Sequence, residues 1–410
     1  MHNKNILIFS LVFLLILFIN LTGCFLFPPS NLAEWTVMVY LDADNDLETF
    51  GIKDINEMEI VGSSSQVNIL VQIDRIPYNV LNSLYIGYLD DFSNSNWTTT
   101  RRYYITQDID PIMINSPLLA DLGELNMGDP QTLIDFTSWA ITNYPARKYL
   151  LVLWNHGGGF RSFSFNTKDI SWDYSNGLDK ITMPELADAL SVISSQAGGK
   201  LDILGMDACL MAMTEVAYQI KDFAEIMVAS QENTPADGWP YDTILAELIA
   251  NPSMSKEELA IQIVDKYVLS YPFNNVTCSA TDLNKMDTLA QQLSNLAQAV
   301  MSDYSTSKNK YIQSGEDSQY FKDPDFVDLY DLCQQLFLNS NSGSVKNLAT
   351  SIQQTLNYSR IKSLNNGGVL VDSKGLSIYF PWYLSYSSYY DLTNFARDTF
   401  WDEMLLHLGL

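Results

Sequence analysis

The chain has 410 residues, and 23 Lys+Arg against 48 Asp+Glu leave a formal charge of −25. With 47% hydrophobic and 17% charged residues the composition is globular, which excludes a largely disordered chain. The acidity excludes a phosphate-binding surface, because nucleic-acid binding needs Lys and Arg to displace counterions, so no nucleic-acid partner is expected.

The first predicted element is an address. Met1–Asn5 carries Lys4, and Ile6–Ile19 is an apolar run of 14 residues broken only by Ser10. A spanning helix needs about 20 residues; the shorter run suits a signal-peptide core. Leu21-Thr22-Gly23-Cys24 follows and resembles the bacterial lipoprotein signal. On that reading residues 1–23 are removed, Cys24 is lipidated, and residues 24–34 are a tether. The acyl chains would hold an exported protein on the membrane of the cell envelope. The alternative is an uncleaved anchor helix with an incidental cysteine.

Further along, Trp35–Leu41 is an apolar, β-branched run of strand length, and Asp46–Val61 has helical spacing. Val67–Ile73 reads as a strand, and Tyr85–Tyr104 as a hairpin or insertion. Asp129-Pro130 opens a helix to about Asn143, with Pro at a natural first-turn position. Tyr149–Trp154 is a strongly buried strand, Met183–Ser195 a helix and Leu201–Met206 a strand. Cys209–Ile220 is predicted as a helix directly after that strand. Ala224–Ala229 and Val276–Ala280 are further strands, the pattern turns helical from about residue 283, and Leu376–Phe380 is a late strand. Strands alternating with amphipathic helices predict an α/β fold, a mostly parallel sheet with helices on both faces. A boundary is placed near residue 300, with 35–300 as the main domain and 301–410 as a helical and β extension packed on it.

Of the four cysteines, Cys24 carries the lipid, and the remaining Cys209, Cys278 and Cys333 cannot all pair within one chain. His2 leaves with the signal peptide, so only His156 and His407 remain, and a zinc cluster is not expected.

Two segments follow buried strands, where open α/β sheets bind ligands. Asn155-His156-Gly157-Gly158-Gly159 follows one, and Asp207-Ala208-Cys209 follows the other. A Cys at a helix N-terminus is activated by the helix dipole, a nearby His can move its proton, and glycines let backbone N–H groups approach an oxyanion. Singly, each residue would read as a core thiol or a loop histidine. Together they point to a cysteine nucleophile.

The segments WTVMVYLDADNDLE (35–48), YLLVLWNHGGG (149–159), LDILGMDACLMAMTEVAYQI (201–220), ASQENTPADGWPY (229–241) and GLSIYFP (375–381) resemble the clostripain-like cysteine peptidases. The resemblance implies a caspase-like fold and an endopeptidase with a Cys–His dyad acting as a monomer. Cys209 would attack the scissile carbonyl and His156 would move the protons. The N–H groups of Cys209 and Gly157 would hold the oxyanion, with no third residue needed to orient the histidine. It also implies protein or peptide substrates cut after Arg, sometimes Lys, with Asp207 and Asp237 as the acidic pocket. The strand near Ser230 and Gln231 could pair with extended substrate backbone. Self-cleavage between His156 and Cys209 would fall at Arg161 or Lys168 ahead of Lys180 and Lys200.

No cofactor is expected to be required. Some relatives depend on calcium, and Asp42, Asp44 and Asp46 look at first like a calcium loop. The sixth position is Leu47 instead of Gly and the twelfth is Lys53 instead of Glu, so it is not an EF-hand. Helix capping by Asp46 and first-turn charge from Glu48 account for much of the pattern. Two rival readings remain: an esterase using Cys209 with His407 behind an HGGG loop, and a non-catalytic surface-anchored binding lipoprotein.

Overall fold

The computed structural model describes residues 32–83, 91–160 and 169–410. The signal peptide, the lipidation site Cys24, nearly all of the tether, the start of the Tyr85–Tyr104 segment and the cleavage candidates Arg161 and Lys168 lie outside the described residues. Ala33–Leu410 forms one compact unit.

The strands in chain order are β1 (Ala33–Ala43), β2 (Val67–Arg75), β3 (Arg101–Tyr104), β4 (Leu118–Asp121), β5 (Ala146–Trp154), β6 (Ile170–Asp173), β7 (Asp179–Ile181), β8 (Leu201–Asp207), β9 (Ala224–Ala229), β10 (Thr277–Asp282), β11 (Phe326–Asp328), β12 (Arg360–Asn365) and β13 (Ser377–Tyr379). Nine of them form one sheet in the order β12-β10-β9-β8-β5-β1-β2-β3-β4. The five central strands, β9 to β2, are parallel. The edges turn antiparallel: β3 and β4 on one side, β10 and β12 on the other. The mostly parallel α/β architecture is as expected from the alternation of strands and helices.

Two hydrophobic cores cover the two faces, and the period-2 alternation of the strands assigns residues to them. Along β1, Met38 and Tyr40 enter one core while Trp35, Val37, Val39 and Leu41 enter the other. The second core is closed by helices Glu48–Val61, Tyr241–Ala250 and Lys256–Ser270, through Ile55, Leu245 and Ile263 among others. The first is closed by Pro130–Asn143, Met183–Ala197 and Met286–Ser302. Leu332, Ile352, Trp401 and Leu405 join that same first core. The expected boundary near residue 300 falls inside the helix Met286–Ser302, and side chains of the 301–410 extension pack into the same first core.

Local chemistry explains the helix starts. Asp129 accepts from Gln131 N–H at 2.8 Å with Pro130 at the first turn. Ser255 and Glu258 form a capping box, as do Thr182 and Glu185. One predicted helix start is corrected: the helix after β8 begins at Thr214, so Cys209 lies in a turn and has no helix dipole behind it.

Candidate active site

The site lies at the carboxyl ends of β1, β5 and β8. β5 and β8 run parallel with Trp154 opposite Asp207, so the residues that follow them, His156 and Cys209, leave the sheet side by side. Gly157 makes this packing possible. A Cβ at that position would lie 2.4 Å from Cys209 O and 3.0 Å from Cys209 N, inside any tolerable contact. The histidine loop is thus pressed directly against the backbone of the cysteine turn, which any larger residue would push away.

Cys209 is half-buried, and its turn is held from behind. Leu210 has φ +62°, a left-handed conformation that costs a non-glycine residue about 1 kcal/mol. Leu210 N donates to Glu232 O at 3.2 Å, and Ala212 N to Ser230 O at 2.9 Å. Thr234 N–H donates to Cys209 Sγ at 3.3 Å, placing a backbone donor on the sulfur. Cys278 and Cys333 are fully buried, and burial pushes both thiols far above the ordinary value. All three described cysteines are free of disulfides.

His156 is braced on several sides. Asn155 accepts from the His156 N–H with its side-chain oxygen. Asn155 Nδ2 in turn donates to Asp42 O at 2.9 Å. On the ring, Nε2 lies 2.6 Å from Asp46 Oδ1. Tyr174 OH donates to the same oxygen at 3.1 Å. Burial pushes the Asp46 pKa up, but the His156 bond and charge and the Tyr174 bond outweigh it, and the carboxyl is held below its usual value. The expected helix-capping role of Asp46 is corrected here: Leu47 is the N-cap residue, without a side-chain cap, and the Asp46 carboxylate points to the histidine.

The predicted pocket carboxylates part company. Asp207 is buried and accepts from Trp239 N at 2.8 Å and Tyr241 OH at 3.1 Å, while burial pushes its pKa up to about 7. Asp237 is exposed at the rim and pairs with Lys53 Nζ at 2.6 Å. Asp54, missed in the sequence, takes the interior place beside Asp207. A Cβ on Gly238 (φ +60°) would lie 2.7 Å from Asp207 Oδ2 and 3.3 Å from Asp54 Oδ2. Asp54 accepts from Trp154 Nε1 at 2.6 Å, and burial, then the charge of Asp207, pushes its pKa well up. Asp54 Oδ1 and Asp207 Oδ1 are buried without hydrogen-bond partners.

Ser230 and Gln231 do not lie open to a substrate strand. Both are buried, Ser230 Oγ lies 3.1 Å from Thr277 Oγ1, and Gln231 Nε2 donates to Asp328 Oδ2 at 2.9 Å. Gln231 N is taken by Thr277 Oγ1, and Ser230 O by Ala212 N. The Ser230 carbonyl helps hold the cysteine turn, while Gln231 ties Thr277, Asp328 and Gly375 together. His407 is exposed in the last turn of the C-terminal helix Trp401–Leu408. Lys180 Nζ lies 3.6 Å from Asp169 and Lys200 Nζ donates to Lys221 O at 2.8 Å, so neither offers a loose cleavage loop.

The calcium candidates also regroup. Asp46 serves His156, and Asp42 lies outside the set of oxygens that converge. That set is Asp44, Asp74, Glu124 and Asp173, one oxygen of each within 4.8 Å of all the others. Asp44 Oδ2 is buried without a hydrogen-bond partner. Burial, then the charge of Asp173, pushes Asp44 up to about 8 and Glu124 up to about 7. Four crowded carboxylates with an orphaned buried oxygen suit a hard divalent cation.

The description "Clostripain family" belongs to the family model that matches residues 39–407 of this chain. Clostripain of Hathewaya histolytica is 29% identical over 89% of this chain and 78% of its own length. A secreted C11 cysteine protease from Bacteroides thetaiotaomicron, solved with an irreversible peptide inhibitor, superposes with a TM-score of 0.67 at 20% identity, covering 91% of this chain and 99% of that one. An inactive zymogen C11 protease from Parabacteroides distasonis gives 0.66 at 19% identity, over 91% and 99%.

Proposed function

Since the chain belongs to the clostripain family of cysteine peptidases, we propose that it is an endopeptidase cutting after Arg, and secondarily Lys, with Cys209 as nucleophile and His156 as its proton partner. The observation that carries this is the packing of Gly157 against the Cys209 backbone, which joins the only two described segments of the right chemistry at adjacent strand ends, beside Asp207.

The steps follow from the atoms. The Cys209 thiol gives its proton to His156 as sulfur bonds the scissile carbonyl carbon. The N–H groups of Cys209 and Gly157 are assigned to the developing oxyanion. The C–N bond breaks as the imidazolium protonates the leaving amine. Water, deprotonated by His156, then attacks the thioester, the C–S bond breaks, and the thiol regains its proton. Asp207 and Asp54 form the floor of the pocket for the substrate cation, and Asp237 its rim. A guanidinium fork offers two donors to the two orphaned carboxylate oxygens, which a lysine ammonium matches less well in geometry.

The same reading includes export, with Cys24 lipidated and the enzyme held at the cell envelope as a monomer. The Leu21-Thr22-Gly23-Cys24 box supports it. Radiolabelled palmitate incorporated into the wild type and not into Cys24→Ala tests it. Calcium is proposed as a bound structural ion on Asp44, Asp74, Glu124 and Asp173. When bound it supplies positive charge to four repelling carboxylates and steadies the loop that carries Asp46. The esterase alternative would use His407, which stands on the C-terminal helix Trp401–Leu408, as its base; activity that survives His407→Ala would count against it.

The test is a panel of peptides differing only in the residue before the scissile bond: Arg, Lys, Asp, Asn or Ala. Soluble protein starting at about Asn31 should cleave after Arg and Lys, and Cys209→Ala should not. Cleavage after another residue would overturn the roles of Asp207 and Asp54. No Cys209-dependent cleavage, with or without calcium, would overturn the peptidase mechanism as drawn.

A further inference from the structure

We propose that Asp46 is a positioning residue for the reaction, forming with His156 and Cys209 a three-part relay in place of the two-part dyad that the resemblance implies. This inference rests on the Cys209–His156 reading and assigns the group behind the histidine. Asp46 Oδ1 lies 2.6 Å from His156 Nε2. An imidazole has two nitrogens with different duties. With Nε2–H donated to a carboxylate, the tautomer is fixed and the lone pair sits on Nδ1, the nitrogen this reading assigns to the thiol. Once Nδ1 has taken the thiol proton, the Asp46 carboxylate stands next to the imidazolium and stabilises its charge. The proton moves only between sulfur, Nδ1 and the leaving amine, and Asp46 takes no part in the transfer.

The surroundings of Asp46 are built for this duty. The residue is partly buried, with 15% of its side chain exposed, and His156 with 11%, so water does not compete freely for the bond. Tyr174 OH donates to the same Oδ1 at 3.1 Å, which leaves that oxygen with two donors from separate elements. Tyr174 is itself pinned, its N–H donating to Asp44 O at 2.8 Å. Asn45 ties the Asp46 turn down through Nδ2 to Asp42 O at 2.9 Å and Trp172 O at 3.2 Å, and its Oδ1 accepts from Leu47 N at 2.8 Å. The ring is held from its backbone side by Asn155 and from its far side by Asp46. A helix cap would need none of this, and the helix Glu48–Val61 starts without one.

The experiment compares Asp46→Asn with wild type in two readouts. In steady-state cleavage of an Arg peptide, kcat should fall about 100-fold or more with KM within about twofold, since the amide can donate to Nε2 and hold the ring in the wrong tautomer; the corresponding change in a serine triad costs about 10⁴. The second readout needs no activity. In Cys209→Ala protein with ¹⁵N-labelled histidine, the His156 ring should carry its proton on Nε2, and adding Asp46→Asn should move it or mix the two tautomers. The soluble chain has only His156 and His407, so assignment is direct. Should Asp46→Asn fail to fold, Tyr174→Phe removes one bond from the same carboxylate and must still shift the His156 signals. Unchanged ring signals, or kcat within threefold of wild type in folded Asp46→Asn, overturn the relay. An inactive wild type would instead count against the peptidase mechanism, while the ring signals would still decide the place of Asp46.

Discussion

The carboxylates near the ends of β1 and β2 and those around Gly238 are both clusters of like charge, yet their surroundings differ. Asp44, Asp74, Glu124 and Asp173 converge from four separate segments, and backbone N–H groups of Ser175, Arg75, Met127 and Asn176 already bond them. Asp54 and Asp207 are only two, capped by an indole, a phenol and one backbone N–H, with a glycine where a side chain would fill the space. Arg75, next to Asp74 in sequence, is drawn away by Glu48 at 2.8 Å. Lys53, next to Asp54, reaches out to Asp237. In each place the cation next in sequence has its ion pair with a carboxylate outside the cluster. Four converging carboxylates, one of them on the exposed Glu124, have the chemistry of the proposed divalent-ion site; two buried carboxylates have that of a site for a single cation. The two clusters differ in the count of acids and in the donors around them, more than in the presence of acids.

The largest expected effect breaks the comparison at the pocket. Asp207→Asn should lower kcat/KM for Arg peptides by about 100-fold or more, because the guanidinium then faces an amide in a buried place. The same change should leave thermal stability equal or higher, since it relieves a carboxylate held at a pKa of about 7. Loss of folding without loss of specificity would make Asp207 structural.

At the other cluster the expected signature is stability. Calcium at 100 times its Kd should stabilise the wild type by about 2.7 kcal/mol. Thermal melts in calcium against chelator should show this rise, and Asp44→Asn with Asp173→Asn should remove it while Asp207→Asn should not. A calcium response that survives the double substitution would locate the ion elsewhere.

A lone buried acid gives the control. Glu215 accepts from Tyr379 N at 2.9 Å and Tyr390 OH at 3.1 Å, and burial pushes its pKa up to about 7. A carboxyl with a raised folded pKa binds its proton more tightly in the folded chain. Stability is then greatest below its ordinary value of 4.5 and falls as pH rises towards 7. Glu215→Gln should flatten this slope by an amount on the order of 2 kcal/mol between pH 4.5 and 7 in urea titrations with chelator present. A slope identical to wild type would show that Glu215 is not the titrating group. The smallest effect belongs to the rim. Lys53→Met should change kcat/KM by less than about fivefold and stability by less than about 1 kcal/mol, because the Lys53–Asp237 pair is half-exposed. A larger gain in kcat/KM would mean that Lys53 competes with the substrate cation.

Much of the fold was legible because its signals are local. The helix Pro130–Asn143 announces itself by Asp129-Pro130, β5 by the unbroken apolar run Tyr149–Trp154, and β8 by the run Leu201–Met206, apolar but for Asp202. His156 and Cys209 were legible because they are rare residues at strand ends. The helix start after β8 was misplaced by five residues, from Cys209 to Thr214, because Leu210, Met211, Ala212 and Met213 are good helix formers. What overrides them is tertiary: bonds to Ser230 and Glu232 hold Leu210 in a left-handed turn. Asp54 and Tyr174 were not legible at all. Each sits far in sequence from the residue it serves, and acids and tyrosines on helices and hairpins are common. Ser230 and Gln231 were misassigned because a strand end reads the same whether its edge is free or already bonded.

The sequence by itself determined the α/β class and marked His156 and Cys209, at two strand ends, as the proposed nucleophile pair. These follow from hydrophobic period, turn residues and the scarcity of His and Cys, all of which act over a few neighbours. Only the tertiary structure decided which of the many acids stand together. Carboxylates carry no sequence periodicity, and their pairing depends on where separate strands and hairpins end in space. That is why Asp46 left the expected calcium loop for His156, Asp44 joined Asp74, Glu124 and Asp173, and Asp54 took the place beside Asp207.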